Sequence, residues 1–340
     1  MEKLRARWKL FQRGTNPFLV QWDVYGQPRL PGRVIETMFR GMILAATTNP
    51  AISRFVRRYG MRMGAARFVA GETLDEAVVS LRRLNDQGLA TNTTLLGEGV
   101  RDEAMAMAVV DEYEKILDRI ANEKLKTNIA LKLTHLGLDI SEELAYRNLT
   151  RLVEYAGERG NFIRIDMEES ARVDATLRIY RRMRAEGYEN VGTVLQAYLY
   201  RTERDLDELL PLKPNLRLVK GAYLEPQNIA YPQKSDVDRN YMHLAERMLS
   251  GDGYTGIATH DEQIIDYVLN YTHSLGIERD RFEFQMLYGI RPQLQLDLAK
   301  QGYKVLVATP FGREWYFYLM RRLAERPANA FFLLRNLILK

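Results

Sequence analysis

The chain has 340 residues, 46% hydrophobic and 27% charged, with a formal net charge of +5, the balance of a globular protein rather than a disordered or fibrous one. Acidic residues alternate with basic ones through most of the chain, which argues against a nucleic-acid-binding face. The absence of cysteine excludes disulfides, thiolate nucleophiles and Cys-based metal sites.

No apolar run approaches the roughly 18–20 residues that span a bilayer, and the N-terminus lacks the apolar core of a secretion signal, so a cytoplasmic protein is expected. The first 15 residues, MEKLRARWKLFQRGT, mix Arg and Lys with Trp8, Leu10 and Phe11. They suit a helical arm packed on the barrel or on a partner subunit, or a peripheral attachment to a membrane surface. Residues 1 to about 88 read as an N-terminal helical segment with a Pro/Gly break near 26–32. Within it Thr73-x-x-Glu76 is a capping box opening a helix with Ala77, Val78 and Leu81 on its apolar face.

From residue 89 onward, short apolar strands alternate with helical patterns. Strands are expected near 90–96, 128–134, 162–167, 191–197, 215–221, 255–260, 282–288 and 304–309. Between them, Val109, Tyr113, Ile116, Leu117 and Ile120 recur at helical spacing. So do Ala145, Leu149, Leu152, Val153 and Ala156 after a Ser141 cap, and Ile264, Ile265, Val268 and Leu269 after Asp261. Eight strand–helix units over roughly 250 residues predict an α/β fold, a distorted (β/α)8 barrel over 89–340 with N-terminal helices before it. The rival, a doubly wound open sheet, needs a glycine turn between a strand and a following helix. The string GDGYTG (251–256) follows a helical run and precedes a strand, so it reads as a turn.

The strands repeatedly end in a residue suited to chemistry: Lys132 in ALKLTHLG, Asp166 in FIRIDMEE, Gln196 in TVLQAY, Lys220 in LRLVKGAY and His260 in GIATHD. In a closed parallel barrel such ends converge on one face and line one pocket. Arg217 and Lys220 beside Gly221 suit a phosphate or a reduced flavin, since glycine lets backbone approach a ligand closely. Asp166 suits a base or an orienting anion, or a cap of the next helix. Arg321 and Arg322 on a C-terminal helix could grip a small carboxylate, or could form a solvated face. His135, His243, His260 and His273 have no metal-ligand spacing, and neither a nucleophile elbow nor a Walker loop occurs. A Schiff-base aldolase using Lys132 or Lys220 remains an alternative, and a non-catalytic binding barrel a third reading.

Taken in order, LLGE (95–98), LKLTHLGLD, RIDMEES, VLQAYLYRTERDL, LRLVKGAY, ATHD, FEFQMLYGIRP and YLMRRLAERPAN closely resemble the proline dehydrogenase family, in its monofunctional bacterial form, from about Gly71 to the end. The resemblance implies noncovalent FAD at the carboxyl ends of the strands. It implies hydride transfer from proline to flavin N5, giving Δ1-pyrroline-5-carboxylate, and electrons passed to a membrane quinone. Carried over residue by residue, Lys132, Arg321 and Arg322 bind the substrate carboxylate, with Tyr223 and Tyr318 walling the pocket. Asp166 and Arg217 are the catalytic-site residues, and Met167, Gln196, Arg217, Lys220, Gly221, Ala222, Thr259 and His260 contact FAD. Glu98 pairs with Arg321 as a gate. Two positions depart from the family pattern. Ala308 stands where a tyrosine is usual, which opens the pocket wall and favours a bulkier analogue such as hydroxyproline or a substituted proline. Thr94 stands where an Asp is common.

Overall fold

A computed structural model of the protein describes residues 21–22, 28–29, 49–97 and 99–325. Eight parallel strands close into a barrel: β1 (Ala90–Leu95), β2 (Thr127–Leu131), β3 (Ile163–Ile165), β4 (Val191–Gln196), β5 (Asn215–Val219), β6 (Tyr254–Ala258), β7 (Phe282–Leu287) and β8 (Val305–Phe311). Each pairs with its successor, and β8 closes on β1 from Leu306 opposite Ala90 to Phe311 opposite Leu95. The expected (β/α)8 architecture is therefore present.

Ten α-helices are described: α1 (Pro50–Met63), α2 (Leu74–Asp86), α3 (Glu103–Asn122), α4 (Glu142–Gly157), α5 (Ser170–Ala185), α6 (Thr202–Leu209), α7 (Lys234–Ser250), α8 (Glu262–Ser274), α9 (Pro292–Lys300) and α10 (Trp315–Glu325). Their starts follow local chemistry. Thr73 Oγ1 accepts from Glu76 N at 3.3 Å while the Glu76 carboxylate accepts from Thr73 N at 3.3 Å, the reciprocal box that satisfies two free N–H groups of α2. Asp102 accepts from Met105 N at 2.8 Å and Ser141 from Leu144 N at 3.4 Å to open α3 and α4. The inward stripes are those the spacing predicts: Tyr113, Ile116, Leu117 and Ile120 of α3, and Ala145, Leu149, Leu152, Val153 and Ala156 of α4, are buried, and Val109 of α3 is half-buried.

Residues 54–319, which contain the whole barrel, form one compact unit, and residues 1–53 with 320–340 form another. In the latter, Gln21 pairs with Arg29 and Trp22 with Pro28 in antiparallel fashion; Pro28 and Arg29 fall in the expected Pro/Gly break, while Gln21 and Trp22 are extended where helix is expected. Most of the remaining N-terminal segment, with Trp8, Leu10 and Phe11, lies outside the described residues. The second strand also ends earlier than expected, at Leu131. Lys132 is still extended but begins a 3-10 turn over Leu133–Leu136, closed by Gly137 at φ 96°. GDG (251–253) is the turn between α7 and β6, where Gly253 lies against Pro214 with no room for a Cβ, and Tyr254, Thr255 and Gly256 already belong to β6.

The interior of the barrel departs from the usual layers of branched apolar side chains. Arg217 on β5 hydrogen-bonds to Asn92 of β1, Asp166 just past β3 and Gln285 of β7, which a side chain on that strand reaches only across the inside. Arg164 on β3 donates to Thr193 O at 3.0 Å and Asn215 O at 2.8 Å, passing over β4. Burial and the nearby Arg217 charge both disfavour its charged form, and the Glu283 carboxylate supports it. The space comes from two glycines. A Cβ on Gly192 would lie 2.6 Å from Arg164 Nη1 and would strike Asn215 O, and one on Gly256 would strike the Gln285 amide.

Gly192→Ala is expected to cost about 1–3 kcal/mol through overpacking, lowering the melting temperature by roughly 2–4 °C per kcal/mol. Differential scanning calorimetry that finds an unchanged melting temperature contradicts this account of the barrel interior.

Candidate active site

The carboxyl ends of the strands gather the chemistry. Arg217 is 9% exposed, and its guanidinium is held at three corners. Nη1 donates to Asp166 Oδ1 at 2.8 Å, Nη2 to Asn92 Oδ1 at 3.3 Å, and Nε to Gln285 Oε1. Asp166 follows β3, its N–H bonded to Leu131 O at 2.8 Å, so the backbone of β2 fixes where its carboxylate begins. The pair is charge-assisted and shielded from water, with side-chain exposures of 11% for Arg217 and 27% for Asp166.

Lys132, just past β2, is half-buried, and among the described residues its ammonium has neither an ion pair nor a hydrogen bond. Glu168 lies within its electrostatic reach. This buried carboxylate accepts from Thr134 Oγ1 at 2.9 Å and from Thr134 N at 3.3 Å. Burial raises its affinity for a proton above the ordinary carboxylate value, and Lys132 and Thr134 only partly oppose that. Gln196, at the end of β4, donates from Nε2 to Glu168 O at 2.8 Å, so the amide and the loop after β3 hold each other.

Lys220 is placed differently. Its ammonium bonds to Asp238 of α7 and, at 2.9 Å, to Asp261 after β6, and Lys234 contacts the same two carboxylates. Burial alone would raise the Asp261 carboxyl, but the hydrogen bond and charge of Lys220 and the charge of Lys234 outweigh it and hold it below the usual range. The next residue, Gly221, has φ 114°, and the Tyr198 ring occupies the place of a Cβ. Only glycine satisfies both conditions. Tyr198 is buried, and its hydroxyl completes no hydrogen bond among the described residues. Burial and the Glu225 charge raise its phenol.

His260 accepts from Leu287 N at 2.9 Å through Nε2, which puts the proton of the neutral ring on Nδ1. Thr259 is buried and accepts from Asp261 N at 3.1 Å. Met167 is buried, Tyr223 half-buried and Ala222 exposed around the rim. Ala308 is the one residue of seven-residue β8 that is not buried, so its methyl borders open space in the barrel mouth. Tyr318 is half-buried on α10. Arg321 and Arg322 lie further along α10, within the unit formed by residues 1–53 and 320–340. Glu98 and the Arg321 side chain, and with them the expected gate, lie outside the described residues.

The strand-end pattern thus brings Lys132, Asp166, Gln196, Arg217, Lys220, Gly221, Thr259, His260 and Ala308 to one end of one barrel. It misses Asn92, Glu283 and Gln285, which complete the surroundings of Arg217, and Asp238 and Asp261, which engage Lys220. A signal was present: FEFQML carries Glu283 and Gln285, and ATNTTL carries Asn92, at inward positions, which a packed apolar barrel does not need. Chemically, a fixed buried cation can stabilise negative charge developing on a planar electron-accepting group, and the unengaged Lys132 can receive a carboxylate. Among the described residues no cluster of His, Asp or Glu is arranged to hold a metal ion, and no helix is long and apolar enough to cross a membrane.

Comparisons with known proteins point the same way. The sequence model of the Proline dehydrogenase family matches residues 77–335. Proline dehydrogenase 1 of Bacillus subtilis (strain 168) is 44% identical over 303 residues, 89% of this chain and 100% of that protein. Proline dehydrogenase of Deinococcus radiodurans is 42% identical over 309 residues, 90% of this chain and 99% of that protein. The bifunctional protein PutA of Escherichia coli (strain K12) is 26% identical, with 88% of this chain matching 27% of its length. Among solved structures, proline utilization A from Bdellovibrio bacteriovorus, inactivated by N-propargylglycine, shares the fold with a TM-score of 0.74 at 24% identity. That match covers 84% of this chain, which spans 36% of the solved one. The family model covers most of the barrel, and the Bacillus and Deinococcus relatives align along nearly their whole length: the chain belongs to the proline dehydrogenase family.

Proposed function

We propose that this protein oxidises L-proline, or a close ring-substituted analogue, to Δ1-pyrroline-5-carboxylate with noncovalently bound FAD, and that the electrons leave to a quinone. The reaction removes two electrons and two protons and turns a ring C–N single bond into C=N. When bound, the flavin supplies the two-electron acceptor. The observation that carries the reading is Arg217, fixed by Asp166, Asn92 and Gln285 beneath a mouth that also holds an unengaged lysine.

Lys132 receives the substrate carboxylate, and Arg321 and Arg322 join it there. Arg217 stabilises the negative charge of the reduced cofactor, with Asp166 orienting it at the reacting ring. Met167, Gln196, Lys220, Gly221, Ala222, Thr259 and His260 hold the FAD. Tyr223 and Tyr318 exclude water, and Glu98 with Arg321 closes the site. Lys220 acts through its carboxylate partners, holding the loop rather than offering a free charge. The same engagement disfavours it as a Schiff-base nucleophile. Transient contact of the N-terminal residues with a membrane surface would bring the site to a lipid-soluble acceptor.

The purified protein is expected to be yellow and to bleach on anaerobic titration with proline. A colourless protein trapped by borohydride with substrate would instead be an aldolase. Arg217→Met should lower kcat/KM by roughly 100-fold, the scale of one lost charge-stabilising donor. Steady-state kinetics within twofold of the native protein would remove Arg217 from the reaction.

Ala308 borders the mouth between Asn92 of β1 and Leu287 of β7. Ala308→Tyr is expected to shift the kcat/KM ratio about tenfold towards proline and away from hydroxyproline, the scale of a pocket contact with one substituent. An unchanged ratio excludes Ala308 from substrate choice.

Glu168 supplies a pH test. Its folded-state affinity for a proton is raised above the ordinary value of 4.5, so its stabilising contribution is complete below that pH and is lost as the pH rises through the raised value. Glu168→Gln keeps a neutral group that still pairs with Thr134. Its melting temperature should match the native one near pH 4.5 and exceed it increasingly towards pH 7. A constant difference across that range rules out the titration.

A further inference from the structure

The part of the Arg217 network that no role above uses is the chain running away from the mouth, from Gln285 to Glu283. Gln285 Oε1 accepts from Arg217 Nε, its Nε2 donates to Glu283 Oε1 at 2.6 Å, and Glu283 Oε2 accepts from Tyr254 OH at 3.2 Å. A guanidinium only donates and a carboxylate only accepts, so the amide has one orientation compatible with both neighbours. Gln285 is 4% exposed and Glu283 9%, which leaves water little access to replace either bond.

We propose that Gln285, oriented by Glu283 and given room by Gly256, is a positioning residue that fixes the plane of the Arg217 guanidinium and keeps it a net cation, thereby raising the reduction potential of the bound flavin. The inference rests on the placement of Arg217 beside the flavin proposed above.

Two physical points carry it. Nε is the guanidinium donor nearest the backbone, and Asp166 and Asn92 each hold a single donor at the far end. Without the Nε bond the group can turn about its last two side-chain torsions while keeping Asp166. The second point concerns charge. Residues 283 and 285 point to the same face of β7, and the amide separates Arg217 from the Glu283 carboxylate. A carboxylate at 285 would engage Arg217 directly and, with Asp166, oppose its charge twice. The neutral acceptor orients the cation without cancelling it. The lack of a side chain on Gly256 belongs to the same device, because a Cβ there would collide with the Gln285 amide and reach within 3.5 Å of the Arg217 Cα.

The test measures the two-electron midpoint potential of the flavin in the holoenzyme by anaerobic dye equilibration, for the native protein, Gln285→Met, Gly256→Ala, Arg217→Met and the double variant Arg217→Met/Gln285→Met. Gln285→Met conserves volume and removes the acceptor, whereas Gly256→Ala displaces the amide without removing it. Each is expected to weaken the preference for reduced flavin about tenfold, a fall of about 30 mV for a two-electron couple. Arg217→Met should fall at least as far, and the double variant should equal Arg217→Met alone, since residues acting through one contact are not additive. Native potentials in Gln285→Met and Gly256→Ala, with a shift in Arg217→Met, overturn the positioning role and leave the placement of Arg217 standing. A native potential in Arg217→Met overturns that placement, and the inference with it. Additive shifts in the double variant show that Gln285 acts independently of Arg217 and also overturn the proposal. If Gln285→Met does not fold, the potential of Gly256→Ala decides.

Discussion

A guanidinium placed inside a closed barrel has to find its partners there, because little water reaches it and an unpaired buried charge is among the most costly features a fold can carry. Arg217 is in that position, and much of the barrel interior is arranged around it. Three strands each give up an inward position to an acceptor: Asn92 on β1, Asp166 after β3 and Gln285 on β7. A second buried arginine, Arg164, lies below, and its donors are taken by backbone carbonyls and Asn215. So many long polar side chains fit within eight strands only where neighbouring positions carry none, which is the part Gly192 and Gly256 play. The result is a barrel whose core is a hydrogen-bonded lattice, stiff because each amide and guanidinium has a single satisfying arrangement.

The mouth inherits its electrostatics from that core. Lys132 and Lys220 look alike in sequence, each one residue beyond a strand. Lys220 meets Asp238 and Asp261, so its charge is matched locally and its contribution is to tie the loop after β5 to α7 and β6. Lys132 meets no such partner among the described residues and is opposed only at a distance by Glu168. An incoming carboxylate is therefore drawn towards the β2 side of the mouth. Asp166, which holds Arg217, follows the adjacent strand β3, its N–H bonded to Leu131 O.

Membership of the proline dehydrogenase family sharpens the meaning of the departures in this chain. The inward methyl of Ala308 sits beside Asn92 in the β8–β1 register, so the position belongs to the same interior wall as the partners of Arg217. A small residue there changes the volume offered to a substrate ring while leaving the charged framework intact. In the function proposed here, substrate choice and charge stabilisation occupy adjacent but separate positions of one wall.

What the sequence by itself determined was the periodic part: eight strand–helix units, caps at Thr73 and Ser141, the buried stripes of α3 and α4, and the convergence of strand-end residues such as Lys132, Asp166 and Lys220 at one end of a barrel. Those features are local, written in side-chain spacing of two or 3.6 residues and in capping chemistry a few positions apart. The tertiary structure decided which polar residues share the interior and which charges are cancelled. Asn92, Asp166, Arg217 and Gln285 are separated by up to 193 positions and meet only because the barrel closes β8 onto β1. The packing of β5, α7 and β6 brings Asp238 and Asp261 to Lys220, whereas among the described residues Lys132 meets no such partner. Pairing across a closed sheet depends on register and on where a glycine makes room, and neither leaves a periodic mark in the chain.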